Sequence, residues 1–302
     1  MTILNKASDG LPSVLVALSR CIAAEGAMPQ EKLLALVAPK AVCDIDMARK
    51  TINSWRKNGF FSDSEEAVGF HSDVHDAIRR KPLENDTLGT VVRSVVLKPE
   101  NNENFWDSEG SRTADFTRTV AWILAQDVWK SEFVGADAPQ ELERNQIVDD
   151  SKRLLQNETR WPGFKGWATF LGFGWFGRFP KKDAFVIDPT VAVRDALAEV
   201  FCDQSELDQM TFFARLSECL PVLDSGVYRR KVEEILDPQL WSAPSEDEVS
   251  TSLSRSLERL HASGLLQMER RADAPNGRRF LLGRGRIRTR EVTHLLRKRV
   301  GK

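Results

Sequence analysis

The most regular alternation of apolar and polar positions lies in residues 244–290. Val249, Leu253, Leu257 and Leu260 recur at spacings of four, four and three, which places them on one face of a helix. Ser245 and Glu248, three apart, form a capping-box pair, so the predicted helix starts at Ser245. Gly264 is suited to the left-handed conformation that ends a helix. Residues 265–270 read as a strand, and Ala274-Pro275-Asn276-Gly277 as a turn, because Asn-Gly tolerates positive φ. Residues 278–282 read as the return strand. A helix followed at once by a tight hairpin is the pattern of a recognition helix and its wing, the working half of a winged helix-turn-helix.

The N-terminal residues carry a similar pattern. Val14, Leu15, Leu18, Cys21 and Ile22 mark a first helix that Pro12 opens and Gly26 closes. Leu33, Leu34, Leu36 and Val37 mark a second, starting at Pro29. Ile52 and Trp55 mark a third, over 47–58, capped by Asp44 or Asp46. Phe60-Phe61 and Val68-Gly69-Phe70 read as a short hairpin. The third helix offers Arg49, Lys50, Arg56 and Lys57, but the predicted wing carries Asp63, Glu65 and Glu66, which repel phosphates. That charge favours a protein-facing role for this copy. The two modules are not a sequence repeat; in the C-terminal one, residues 208–220 and 227–236 supply the first two helices. Arg229, Arg230 and Lys231 at the start of the second suit a phosphate backbone.

Between the modules, helices are predicted over 88–97, 113–133, 147–157 and 189–201, with a polar loop at 99–110 and a strand at 184–187. One segment is unusual. Trp161, Phe164, Trp167, Phe170, Phe173, Phe176 and Phe179 recur at every third position, with Trp175 added and glycines and basic residues between. Period three fits neither helix nor strand, so these rings are expected to share no face. Packing into a glycine-jointed core is the favoured reading; a stacking platform for single-stranded nucleic acid is the other.

Charge sharpens the picture. The whole chain has a formal net charge of -1, yet residues 251–302 hold 14 Lys and Arg against 4 Asp and Glu. A basic C-terminal module on an acidic body points to a polyanion partner for that module. On the helix face away from the leucines, Thr251, Ser252, Ser254, Arg255 and Arg259 are candidate groove contacts, since Arg reads guanine edges and hydroxyls bond bases or phosphates. Arg270, Arg271, Arg278 and Arg279 on the wing are candidate phosphate contacts. Arg284, Arg286, Arg288 and Arg290 follow, and a last predicted helix over 289–299 adds Arg297, Lys298 and Arg299.

Catalytic patterns are missing. There is no GxxxxGK[ST] loop and no convincing nucleophile elbow or nuclease carboxylate set. His71 and His75, four apart, lack a third clustered ligand, so no metal and no cofactor is expected, and no enzyme. The four cysteines form no CxxC pair, and residues 1–4 open no signal peptide, so a cytoplasmic chain with reduced thiols is expected. No apolar run approaches the length, about 18 residues, that a membrane span needs.

Residues 4–11 (LNKASDGL), the helices and hairpin after them, Leu171-Gly172-Phe173-Gly174-Trp175 and Ile187-Asp188-Pro189-Thr190 resemble the DpdG family. The family accompanies bacterial gene clusters that place 7-deazaguanine derivatives in DNA and restrict DNA lacking them. The resemblance implies phage defence and helicase- or nuclease-like partners, and it supplies no catalytic residues.

The expected fold is mainly α (α+β): a winged helix-turn-helix domain at 1–80, a helical, aromatic-rich middle at 81–204, and a basic winged helix at 205–302. The expected function is a non-catalytic adaptor that binds double-stranded DNA through its C-terminal module and defence-system proteins through the rest. The alternatives are a transcriptional repressor, which needs a symmetric dimer and a defined operator, and a tandem winged-helix scaffold that binds no DNA.

Overall fold

A computed structural model describes residues 3–4, 11–38, 45–79, 85–107, 112–131, 133–156, 159–179, 182–274 and 277–298. In chain order the helices are α1 (Pro12–Glu25), α2 (Gln30–Val37), α3 (Ile45–Lys57), α4 (Ser72–Arg79), α5 (Asn85–Val96), α6 (Ala114–Leu124), α7 (Asp137–Gln146), α8 (Arg160–Phe170), α9 (Thr190–Phe201), α10 (Gln209–Cys219), α11 (Val227–Glu233) and α12 (Thr251–Ala262). The strands are β1 (Phe133–Val134), β2 (Gly174–Phe179), β3 (Lys182–Ile187), β4 (Glu206–Asp208), β5 (Glu248–Val249), β6 (Leu266–Glu269), β7 (Arg278–Leu282), β8 (Arg288–Val292) and β9 (His294–Arg297). The fold is mixed α+β, and the described residues form three three-stranded sheets ordered β1-β3-β2, β4-β9-β6 and β5-β7-β8. Sheet content therefore exceeds the small wings that the sequence predicts.

Contacts divide the chain into two compact units, residues 1–117 with 156–171, and residues 118–155 with 172–302. The stretch 81–204 is thus shared between them. In the first unit, α1, α2 and α3 bury Leu15, Leu18, Ile22, Leu33, Leu34, Ile52 and Trp55, as the apolar spacing predicts. The hairpin forms as a Phe61–Phe70 bridge, and Met28, between α1 and α2, pairs with Val68. Asp44, one of two predicted caps of α3, lies outside the described residues.

The period-three aromatics correct the sequence reading. Trp161, Phe164 and Trp167 lie on α8, and all three are buried. A step of three residues turns a helix by about 300°, so three such rings span only about 120° and share one face. Trp167 meets Trp55 with ring centroids 5.3 Å apart. Gly163 sits inside this helix because the Leu4 backbone passes there: a Cβ would lie 2.8 Å from the Leu4 carbonyl oxygen. Packing accounts for these rings and for Phe173, whereas Trp175 and Phe176 are exposed on β2.

In the second unit, α12 buries Leu253, Leu257 and Leu260. Its start differs from expectation. The cap is Ser250, whose Oγ accepts from the Leu253 amide at 3.4 Å. Ser245 and Glu248 do bond each other, Ser245 N to Glu248 Oε2 at 3.2 Å, but they close a turn before β5 instead of a helix. Val249 pairs with Phe280 in parallel and leaves the helical stripe. Gly264, at φ +74°, ends α12 as predicted.

Four further expectations fail. The helix predicted over 113–133 stops at Leu124, and the one over 147–157 is displaced to Asp137–Gln146. There Asp149 accepts from the Ser151 amide in a short 3-10 turn, competing with helix continuation. The helix predicted over 289–299 is two strands, β8 and β9. Finally, β6 and β7 do not pair with each other. Met268 lies opposite Leu295 of β9, and Phe280 opposite Arg290 of β8. The chain leaves one sheet and enters the other at Thr293, whose amide donates to the Glu269 carbonyl at 2.8 Å. Pro275 and Asn276 of the predicted turn lie outside the described residues.

Candidate nucleic-acid interface

The hydroxyls expected to face a groove point into the second unit. Thr251, Ser252 and Ser254 are all buried. Thr251 Oγ1 accepts from the Val128 amide at 3.1 Å, and Ser252 Oγ donates to the Leu124 carbonyl at 2.7 Å. Ser254 Oγ donates to the Val249 carbonyl at 3.1 Å and accepts from the Leu281 amide at 3.0 Å. These three groups fix α12 against its neighbours, and none is presented to a partner.

Many of the arginines are also engaged. Arg259 pairs with buried Asp188, and Arg270 with Glu291 at 3.1 Å. Arg271 pairs with Glu206 at 2.6 Å and Glu269 at 3.2 Å. Arg279 pairs with Asp247 at 2.9 Å and Glu248 at 3.3 Å, and Arg290 with Glu258 at 3.2 Å. The Arg278 guanidinium sits 5.1 Å from the Phe213 ring centre. The carboxyls respond to this. Glu206 is held below its ordinary range by the bond from Arg271, and Glu291 by the Gly277 amide and then Arg270. Arg229, read from sequence as a phosphate contact, is buried between Asp224 and Glu233.

Arg284, Arg288, Arg297 and Lys298 differ: among the described residues none of the four has a carboxylate partner. Arg284 lies in the β7–β8 loop and Arg288 opens β8, while Arg297 and Lys298 close β9, so the two pairs stand at opposite ends of the run through β8 and β9. Arg299 and the side chain of Arg286 lie outside the described residues.

Beside the β7–β8 loop is a cleft of about 990 Å³. Helix α12 provides one wall through Arg255, Glu258 and Arg259; β3, with Phe185 and Ile187, provides another; Leu282, Gly283 and Arg288 form a rim. Trp129 and Trp175 line it as well. The Arg255 guanidinium lies 5.6 Å from the Trp129 ring centre. Burial, and then the charge of Arg259, push its pKa below the ordinary arginine value. Asp188 ties the cleft together: it takes the Arg259 ion pair, the Trp175 indole N–H at 3.1 Å and the Thr190 amide at 3.1 Å. The last bond holds Asp188 against the first residue of α9. Sequence reasoning found Arg255, Arg259 and Arg288, and named Trp175 as a contact only within the stacking-platform alternative; it missed Glu258, and with it Trp129 and Asp188, which lie 129 and 70 positions before Glu258 and share no local pattern with it.

A family model described as DpdG-like matches residues 1–274. The chain belongs to the DpdG-like family. Neither a curated protein nor a solved structure matches it. DpdG-like membership associates the chain with the Dpd DNA-modification system. The matched span includes α12 and Asp188; the arginines from Arg278 onward lie past it. Among the described residues no group of three or more His, Cys, Asp or Glu side chains is placed to hold a metal, and no helix is long and apolar enough to cross a membrane.

Proposed function

We propose that this DpdG-like chain is a non-catalytic DNA-contacting adaptor of a phage-defence assembly tied to 7-deazaguanine modification, with winged-helix modules at both ends. The observation that carries the DNA contact is that Arg284, Arg288, Arg297 and Lys298, at the two ends of the β8–β9 run, have no carboxylate partner among the described residues. A duplex lying along the β8–β9 run would meet cations at both ends through its phosphates, without base readout by α12. The element order helix, paired segment, helix, helix, hairpin over residues 12–71 supports the N-terminal module, and its exposed Asp63, Glu65 and Glu66 suit a protein partner.

The test is a fluorescence-anisotropy titration of a random duplex with the full chain. Four phosphate contacts imply a fall in affinity of roughly 10²-fold between 50 and 200 mM salt. Replacing Arg284 and Arg297 together by Ala should weaken all sequences alike. Unchanged affinity in that variant overturns the reading.

The ion pairs of Arg270, Arg271, Arg279 and Arg290 favour a second reading, a protein scaffold. These four charges are already answered within the chain. A wild-type chain that binds partner proteins but no duplex, even at low salt, decides for it.

A further inference from the structure

The cleft beside α12 combines two features that point to a particular ligand. The first is open ring surface: Trp175 is 41% exposed at its mouth, and Trp129 is covered on one face by Arg255. The second is surplus positive charge. Of the charges around the cleft, Asp188 is answered by Arg259 and Glu258 by Arg290, whereas Arg255 and Arg288 have no carboxylate partner among the described residues. Phe133, Phe185 and Ile187 give the cleft a buried apolar floor. Ring faces stack planar groups, and unopposed guanidiniums take phosphate oxygens. An acidic peptide would use the charges but leave the rings idle. The volume lies within the range of small-molecule sites, roughly 300–1,000 Å³.

We propose that this cleft holds a single nucleotide, its base stacked on Trp175 and its phosphate at Arg288 and Arg255. The nucleotide comes either from an unpaired position of a DNA strand or as a free mononucleotide. Within a strand it extends the DNA contact proposed above, on which that part rests.

The experiment uses the full chain, with deoxyguanosine 5′-monophosphate, deoxyguanosine and a fluorescein-labelled 12-nucleotide single strand as probes. Tryptophan quenching follows the free ligands, and anisotropy follows the strand. Quenching by the monophosphate but not by the nucleoside is expected. Trp175→Ala and Arg288→Ala should each weaken whichever probe binds by about tenfold. Strand binding that the monophosphate displaces assigns the cleft to DNA; monophosphate binding without strand binding assigns it to a free nucleotide. Arg288 is exposed, so its replacement guards against a folding defect in the Trp175 variant. Wild-type affinity in both variants, or no response to either phosphate-bearing probe, overturns the inference. Duplex binding that is lost with Arg284 and Arg297 yet kept in Trp175→Ala leaves the proposed function standing, so the two failures are told apart.

Discussion

A guanidinium closed on a carboxylate has little left to offer a phosphate. Arg259 illustrates this: its position on α12 marks it as a groove residue, but Asp188, far away in sequence, takes its charge. Arg259→Ala should therefore change duplex affinity by less than about twofold, while costing roughly 1–3 kcal/mol of stability by leaving a buried carboxylate short of a partner. Urea denaturation beside anisotropy checks both halves. Asp188→Asn should do the opposite to binding, strengthening nucleotide affinity by freeing Arg259; an unchanged affinity would count against the electrostatic account of the cleft. Cysteine reactivity offers another residue-level check. Cys202 is exposed, whereas burial and then Glu199 push the Cys219 thiol up to about 12. At pH 8 a thiol reagent should label Cys202 while leaving Cys219 intact in the folded chain, and mass mapping of the labelled peptides decides it.

At the level of elements, local pattern was a good guide wherever the pattern itself does the packing. The leucines of α12, the glycine that ends it and helices α1, α2 and α3 were legible, because each helix buries a face made by its own periodicity. Elements whose partners are distant were not. Residues 289–299 read as a helix, yet Val292 and Leu295 are buried in sheets built with β7 and β6. The wing hairpin failed for the same reason: the turn residues suggest that β6 and β7 pair, but register with β9 and β8 prevails. Two tests belong here. Gly264→Ala forces a side chain into left-handed backbone and should cost about 1–2 kcal/mol, read from the urea midpoint. Acid should loosen the contacts that Glu206 of β4 and Glu291 of β8 make with Arg271 and Arg270. Glu206 and Glu291 have folded pKa values below their ordinary value, so their contribution is present above the ordinary carboxylate range and is lost as pH falls through the lower folded value. The urea midpoint should drop between pH 6 and pH 3.5, and drop less in a Glu206→Gln, Glu291→Gln variant.

At the level of the whole molecule, the sequence separated a basic C-terminal region from an acidic remainder, and the structure qualifies what that asymmetry means. Counting residues treats all 14 cations of the C-terminal region alike; the fold answers many of them internally. The salt dependence of duplex binding should accordingly reflect about four contacts, and a slope near that of ten or more would mean that the internal ion pairs open on binding. The candidate cleft was the least legible feature, since its tryptophans, its aspartate and its arginines come from five separate stretches of chain. One feature of the sheets also bears on how the chain becomes a protein at all. β9 is the middle strand of its sheet, and it pairs Leu296 with Glu206, some ninety residues earlier. During synthesis β4 and β6 leave the ribosome with the gap between them still empty. Until β9 arrives, each presents an unpaired edge to its surroundings, and the unit can close only as one late, long-range event.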